Sequence, residues 1–257
     1  MPLLGLPEPI GWRGGRTFLA AAIVVSLLMA AFFIALGVAA LLRGSYLTAV
    51  VTLGAALSLL PIVLALLLAA AGRTELNTTS DATGFTLWPD RRFSILTITG
   101  VVLFLPGGVA LAVLAPVGAI DIAEITWMRT ALPVGAAFAV ISIVTALIAG
   151  WRRGEVGHLK LTPAMIENAD IVKTRTWEWD DIVDVADHAQ SRKARRAVVL
   201  RVQDGHEEII TIADIYVPTG VPLYWMIRHY WKHPEDRMEL VDSRALERLR
   251  EGRFALD

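Results

Sequence analysis

Residues 17–42 read TFLAAAIVVSLLMAAFFIALGVAALL, and the fold is decided by this run. It holds no Asp, Glu, Lys, Arg or His, and neither do residues 44–72, 93–120 and 130–150. A helix of about 20 residues crosses the roughly 30 Å hydrocarbon core of a bilayer. One charge at the centre of an inserting helix costs about 2.5–3.5 kcal/mol. Four charge-free runs of this length therefore predict four membrane spans within residues 17–150. Ahead of them lies a short arm, residues 1–16, and behind them a polar tail, residues 151–257. The expected fold class is a four-helix transmembrane domain plus a small α+β cytoplasmic domain.

Composition agrees with that reading. The 257 residues are 55% hydrophobic, with a mean hydropathy of +0.55, beyond the balance of a soluble domain. A net charge of −1 argues against a polyanionic partner. The chain has no cysteine, which excludes disulfides, thiol catalysis and thiolate metal sites. The first apolar run far exceeds the 7–15 residues of a signal-peptide core, so it is expected to be a retained first span.

Basic residues near the span ends alternate. Arg13 and Arg16 precede the first run; Arg73, Arg91 and Arg92 lie between the second and third; Arg152, Arg153 and Lys160 follow the fourth. Against these eight, the other two loops hold Arg43 and Arg129. The positive-inside tendency puts both termini in the cytoplasm of a plasma (inner) membrane protein. Trp12, Trp88, Trp127 and Trp151 fall near the expected boundaries, where indoles favour the interface.

Within the spans, Gly54 with Ser58 and Gly135 with Ala139 form small-xxx-small pairs that let helices approach closely; ordinary Ala and Gly abundance is the alternative. Pro106-Gly107-Gly108 in the third run, with Pro116 later, predicts a kink. Proton and ion pathways need ionisable groups inside the bundle, so a proton-coupled transporter or an embedded protease is not expected.

Residues 73–92 carry Thr-rich alternation on both sides of Asp81-Ala82-Thr83-Gly84, the pattern of a β-hairpin. Two strands alone are marginal in water, so the hairpin is expected to pair with, or pack on, the tail; a plain polar linker is the alternative. After Gly150 the period becomes two. Strands are expected around Leu159 and Leu161, over 165–169, 171–177 and 183–188, around Val198, Leu200 and Val202, and over 207–216. Asp204-Gly205 marks a hairpin turn. Leu223, Met226, Ile227, Tyr230 and Trp231 form a helical stripe that closes the sheet or lies on a membrane. Asp242-Ser243 caps a last helix.

Three segments carry a family resemblance: Leu161-Thr162-Pro163-Ala164-Met165-Ile166, Arg175-Thr176-Trp177-Glu178-Trp179-Asp180-Asp181-Ile182, and the Asp204-Gly205 turn. In this order the tail, over roughly 157–231, resembles the bacterial pleckstrin-homology-like domains. Those open on Leu-Thr-x-x-x-Ile ahead of a Trp-x-Asp/Glu-Ile segment. The resemblance implies an antiparallel sheet closed by a C-terminal helix and used as an interaction surface, with no shared catalytic residues. The whole layout also looks like actinobacterial multi-pass membrane proteins of unassigned function, some of them auxiliary subunits of envelope lipid-transport machines. That implies a role beside an Mce-type ABC importer.

Candidate chemistry is sparse. His229 and His233 stand at i, i+4, where two imidazoles could share a metal, but a solvated basic face is the expectation. His206-Glu207-Glu208 lacks the second histidine of a zinc-protease motif. Asp180, Asp181, Asp184 and Asp187 read as a wet strand face, with Asp184 opposite Val183 and Val185. Arg192, Lys193, Arg195 and Arg196 crowd one inter-strand loop, where each is worth about 1 kcal/mol against an anionic leaflet; they are the candidate lipid or partner contact. The tail holds 17 basic against 19 acidic residues, so no nucleic-acid field is expected. No catalytic residue, metal or cofactor is expected. The function class expected is a non-catalytic accessory or scaffolding subunit, with other integral membrane subunits and membrane lipids as partners. An anionic-lipid module, an autonomous lipid transporter and a lipid enzyme are the alternatives.

Overall fold

The structure, a computed structural model, describes residues 5–12, 15–120, 128–153, 157–170, 173–191 and 196–255, with side chains for all of these except 15–18, 128–129 and 153. The chain divides into two compact units: residues 20–67 with 94–152, and residues 1–19 with 68–93 and 153–257.

The first unit is helical. Helices α1 (Gly15–Leu42), α2 (Tyr46–Ala70), α3 (Arg91–Leu114) and α4 (Met128–Arg153) coincide with the four charge-free runs. Each is long and apolar enough to cross a membrane. A helix satisfies its own backbone groups, which hydrocarbon cannot do. Two of these helices stop at glycines. Gly44 (φ +75°) and Gly72 (φ +60°) adopt the left-handed conformation. Around them the N–H of Ser45 reaches the Ala40 carbonyl and that of Arg73 reaches the Leu68 carbonyl, closing the last turn.

Close helix approaches lie at Gly100, against Ile62 and the pair member Ser58, and at Gly37, and not at Gly54 or Gly135 themselves. A Cβ on Gly100 would lie 2.5 Å from Ile62 Cγ1 and 2.9 Å from the Ser58 carbonyl oxygen, and one on Gly37 would lie 2.7 Å from Leu53. Gly54 and Gly135 have nothing within 4 Å of an added Cβ. Ser58 is buried and its hydroxyl donates back to the Ala55 carbonyl at 2.7 Å, while Ala139 is half-buried. Helix α3 runs unbroken through Pro106, Gly107 and Gly108. Pro61 and Pro133 likewise lie inside α2 and α4.

The second unit is built on two antiparallel sheets. Strands β1 (Asn77–Asp81), β2 (Gly84–Trp88), β3 (His158–Leu161), β4 (Met165–Ala169) and β5 (Thr174–Glu178) form one in that order. Strands β6 (Ile182–Ala186), β7 (Val198–Val202) and β8 (Glu207–Ile210) form the other. The hairpin between α2 and α3 is thus real, and it pairs with the tail: Phe85 faces Leu161, Thr86 faces Lys160 and Leu87 faces Leu159. Those four apolar side chains are fully buried. At the hairpin turn Asp81 Oδ1 accepts the N–H groups of Thr83 and Gly84 at 2.7 and 3.0 Å. The polar strand β1 lies at the sheet edge, where charged and hydroxyl side chains discourage further pairing.

Two strands differ from the period-two reading. A register shift between Ile182 and Asp184 leaves Val183 exposed while Val185 is buried. Strand β8 ends at Ile210 rather than Tyr216, because Ile212 takes a left-handed φ of 56° and turns the chain into a short 3-10 helix, Ala213–Ile215. Helix α5 (Val221–Lys232) follows, then the 3-10 segment Pro234–Val241 and helix α6 (Arg244–Glu251). Leu223, Met226, Ile227 and Tyr230 of α5 join Leu159, Ile166, Val185 and Leu200 of the strands in one apolar core.

Candidate functional site: a polar clamp joining three chain segments

The sheet unit draws on three stretches far apart in sequence, and one buried charge network ties them together. Arg196 follows the basic loop and is only 8% exposed. Its guanidinium donates to Asp214 Oδ2 at 2.9 Å and to Glu8 Oε1 at 3.0 Å. Asp214 is buried, and its carbonyl accepts the Thr74 hydroxyl at 2.9 Å. The N-terminal arm, the base of the hairpin and the tail thus meet around one guanidinium. The two carboxylates hold the Arg196 pKa above its ordinary value against the opposing effect of burial. Arg196 itself has a left-handed φ of 47°, a conformation that costs a non-glycine residue about 1–2 kcal/mol; its ion pairs and the Ala213 N–H on its carbonyl hold it there. Gly220 admits Asp214 because a Cβ there would lie 2.6 Å from Asp214 Oδ1.

The arm is docked by more than charge. Trp12 is 1% exposed; its indole N–H donates to the Ala197 carbonyl at 3.2 Å and its ring meets Tyr224 edge-on at 6.0 Å. Trp225 donates to the Pro7 carbonyl at 2.9 Å, and the Gly11 N–H donates to Asp187 Oδ2 at 2.7 Å. Trp12 is therefore a core residue of the sheet unit and not an interfacial anchor. Trp151 is exposed near the end of α4, Trp88 is half-buried with its N–H on Thr79, and Trp127 lies outside the described residues.

Two further carboxylates act as fasteners. Asp90 caps α3 by accepting the Phe93 N–H at 2.8 Å, takes the Glu75 N–H at 2.5 Å with its other oxygen, and donates its own N–H to the Ile215 carbonyl. Glu208, buried on β8, accepts Asn168 Nδ2 at 2.9 Å and Arg175 at 2.5 Å, joining the small sheet to the large one.

The two histidines stand apart from solvent more than the helical stripe implies. His229 is 5% exposed because α5 is covered on more than one side: Tyr224 and Trp225 are also buried, beneath the arm. Its Nε2 lies 2.9 Å from Asp236 Oδ2 and its ring lies 4.7 Å from that of His233. Burial, reinforced by the Arg248 charge, pushes its pKa below the ordinary imidazole value. Arg248 spans Asp236 and both oxygens of Glu239. The solvated basic face expected for His229 is therefore replaced by a packed one. Among the described residues no three His, Asp or Glu side chains are grouped to hold a metal ion.

Of the four basic-loop candidates, Arg192, Lys193 and Arg195 lie outside the described residues. Arg196 is an internal ion-pair partner of Asp214 and Glu8 and not the lipid or partner contact its loop suggests. Asp184 and Glu207 are taken by Arg201, and the Ser191 hydroxyl with the backbone N–H groups of Ser191 and Gln190 holds the Glu207 carboxyl at about 2. The sequence alone could not reveal Glu8 or Thr74 as partners, because their contacts span 188 and 140 residues.

These features define a class: among its described residues the protein has four apolar helices of membrane-crossing length and a separate α+β sheet domain assembled from three chain segments. Comparison with protein families, with curated proteins and with solved structures finds no match for this chain.

Proposed function

We propose that this chain is a non-catalytic accessory or scaffolding subunit of a larger membrane complex, with its sheet domain in the cytoplasm as a docking platform. One observation carries the reading. In an 18-residue apolar stretch of each span, buried residues make up only 11% in the first and fourth and 17% in the third, against 39% in the second. Helices that cover one another so little leave apolar faces for neighbouring helices, and in lipid such faces associate through close packing and not through hydrophobic drive. The sheet domain supports the same reading, since its buried charges are spent on holding segments together. It is read as pleckstrin-homology-like, two antiparallel sheets with α5 as the closing helix. The eight-to-two distribution of basic residues supports the cytoplasmic side. The envelope lipid importers to which the layout is similar are the proposed setting.

Extraction of tagged protein from its native membrane in mild detergent, followed by mass spectrometry, tests this. A stoichiometric set of integral membrane partners is expected. Recovery as a lone chain under conditions that preserve other complexes contradicts it.

A further inference from the structure

We propose that the helical unit holds a binding site for one hydrocarbon chain of a membrane lipid. The site is a cavity of about 310 Å³ lined by residues from all four helices, at the lower end of the roughly 300–1,000 Å³ range of small-molecule sites. Its rim includes Val25 and Met29 of α1 and Gly135 of α4, all exposed, while Ala55 of α2 and Gly108 and Leu111 of α3 form a buried floor. The opening therefore lies between α1 and α4 and faces sideways.

The chemistry of the lining selects the occupant. Among the described lining residues Ser26 supplies the one side-chain hydroxyl, and none is ionisable. A bound water needs two to four polar partners, so water is a poor filler. Left empty, the lining atoms lose their dispersion contacts on one side. A charged headgroup finds no counter-charge. What remains is an uncharged flexible chain, and the surrounding bilayer presents such chains at the lateral opening with their headgroups outside. A packed partner helix, about 10–12 Å across with its side chains, is too wide to enter a cavity of this volume. The site is independent of the accessory-subunit reading.

The test uses the full-length protein in vesicles of phosphatidylcholine and phosphatidylglycerol doped with a phospholipid carrying a mid-chain diazirine. After illumination, labelled positions are mapped by mass spectrometry. Label is expected on the floor, at Ala55, Gly108 and Leu111, as well as on outward residues such as Val102 and Val113. Gly135→Leu places a side chain into open space, since an added Cβ meets nothing within 4 Å; it is expected to abolish floor labelling and leave the outward labelling intact. Val134→Leu, on an exposed neighbour outside the cavity, is expected to keep both. An unlabelled floor in the parent protein, or floor labelling that survives Gly135→Leu, overturns the proposal. So does a floor labelled in vesicles but protected in native membranes, which assigns the cavity to a partner segment.

Discussion

Arg196 illustrates how a single side chain can be misread from local sequence. In Arg192-Lys193-Ala194-Arg195-Arg196 it is one of four cations, yet its two carboxylate partners come from residues 8 and 214. Removing one member of a buried pair strands the other, which costs about 3–5 kcal/mol. Arg196→Ala is expected to lower unfolding stability in detergent by that order. Glu8 is 40% exposed at its side chain, so Glu8→Gln is expected to cost at most about 1 kcal/mol. Equal effects of the two substitutions would contradict the clamp. His229 makes a second prediction. Its folded pKa lies below the ordinary value of 6.5, so between the two values the unfolded chain binds a proton that the folded chain refuses. The contribution of His229 to stability is therefore complete above about pH 6.5 and is lost as pH falls toward the folded value. His229→Gln is expected to flatten the decline in thermal stability as pH falls below about 6.5; an unchanged slope, with Asp236, His233 and Arg248 left in place, would contradict this.

At the scale of elements, composition alone identifies the spans, because a charge-free run of this length has one stable setting. Which faces of the helices meet is not legible, since small residues recur all along them. Gly100→Val is expected to force α2 and α3 apart and cost about 1–3 kcal/mol, the usual penalty of overpacking. Gly54→Ala is expected to be neutral or to stabilise by up to about 1 kcal/mol through helix propensity. Thermal unfolding of both variants in the same detergent checks the contrast, and a larger loss at Gly54 would make Gly54 itself a contact. The strands follow period two where both faces are regular. They depart from it at the bulge near Val183 and at Ile212, where backbone geometry overrides alternation. Helix α5 reads as one apolar stripe but is buried on more sides, because the arm that covers Tyr224 and Trp225 begins more than two hundred residues earlier.

For the whole molecule, the arm, the hairpin loop and the tail are separated from one another by pairs of apolar helices. In the two-sided counting of a multi-pass protein, segments separated by two crossings emerge on the same side. The β2–β3 ladder makes this a physical requirement, because a sheet bonded through Phe85 and Leu161 cannot be divided by hydrocarbon. The sequence implied this through the alternation of its basic flanks and through a hairpin too small to stand alone. It did not reveal that the arm joins the same core, since no local pattern marks Trp12 as buried.

The lack of native cysteine makes the decisive measurement direct. Single cysteines at Ser80 in the hairpin, Asp204 in the tail and Ser45 between α1 and α2 can be exposed to a membrane-impermeant maleimide in sealed vesicles of both orientations. Ser80→Cys and Asp204→Cys are expected to label from one face, the cytoplasmic one, and Ser45→Cys from the other. Labelling of the hairpin and the tail from opposite faces would contradict the shared sheet.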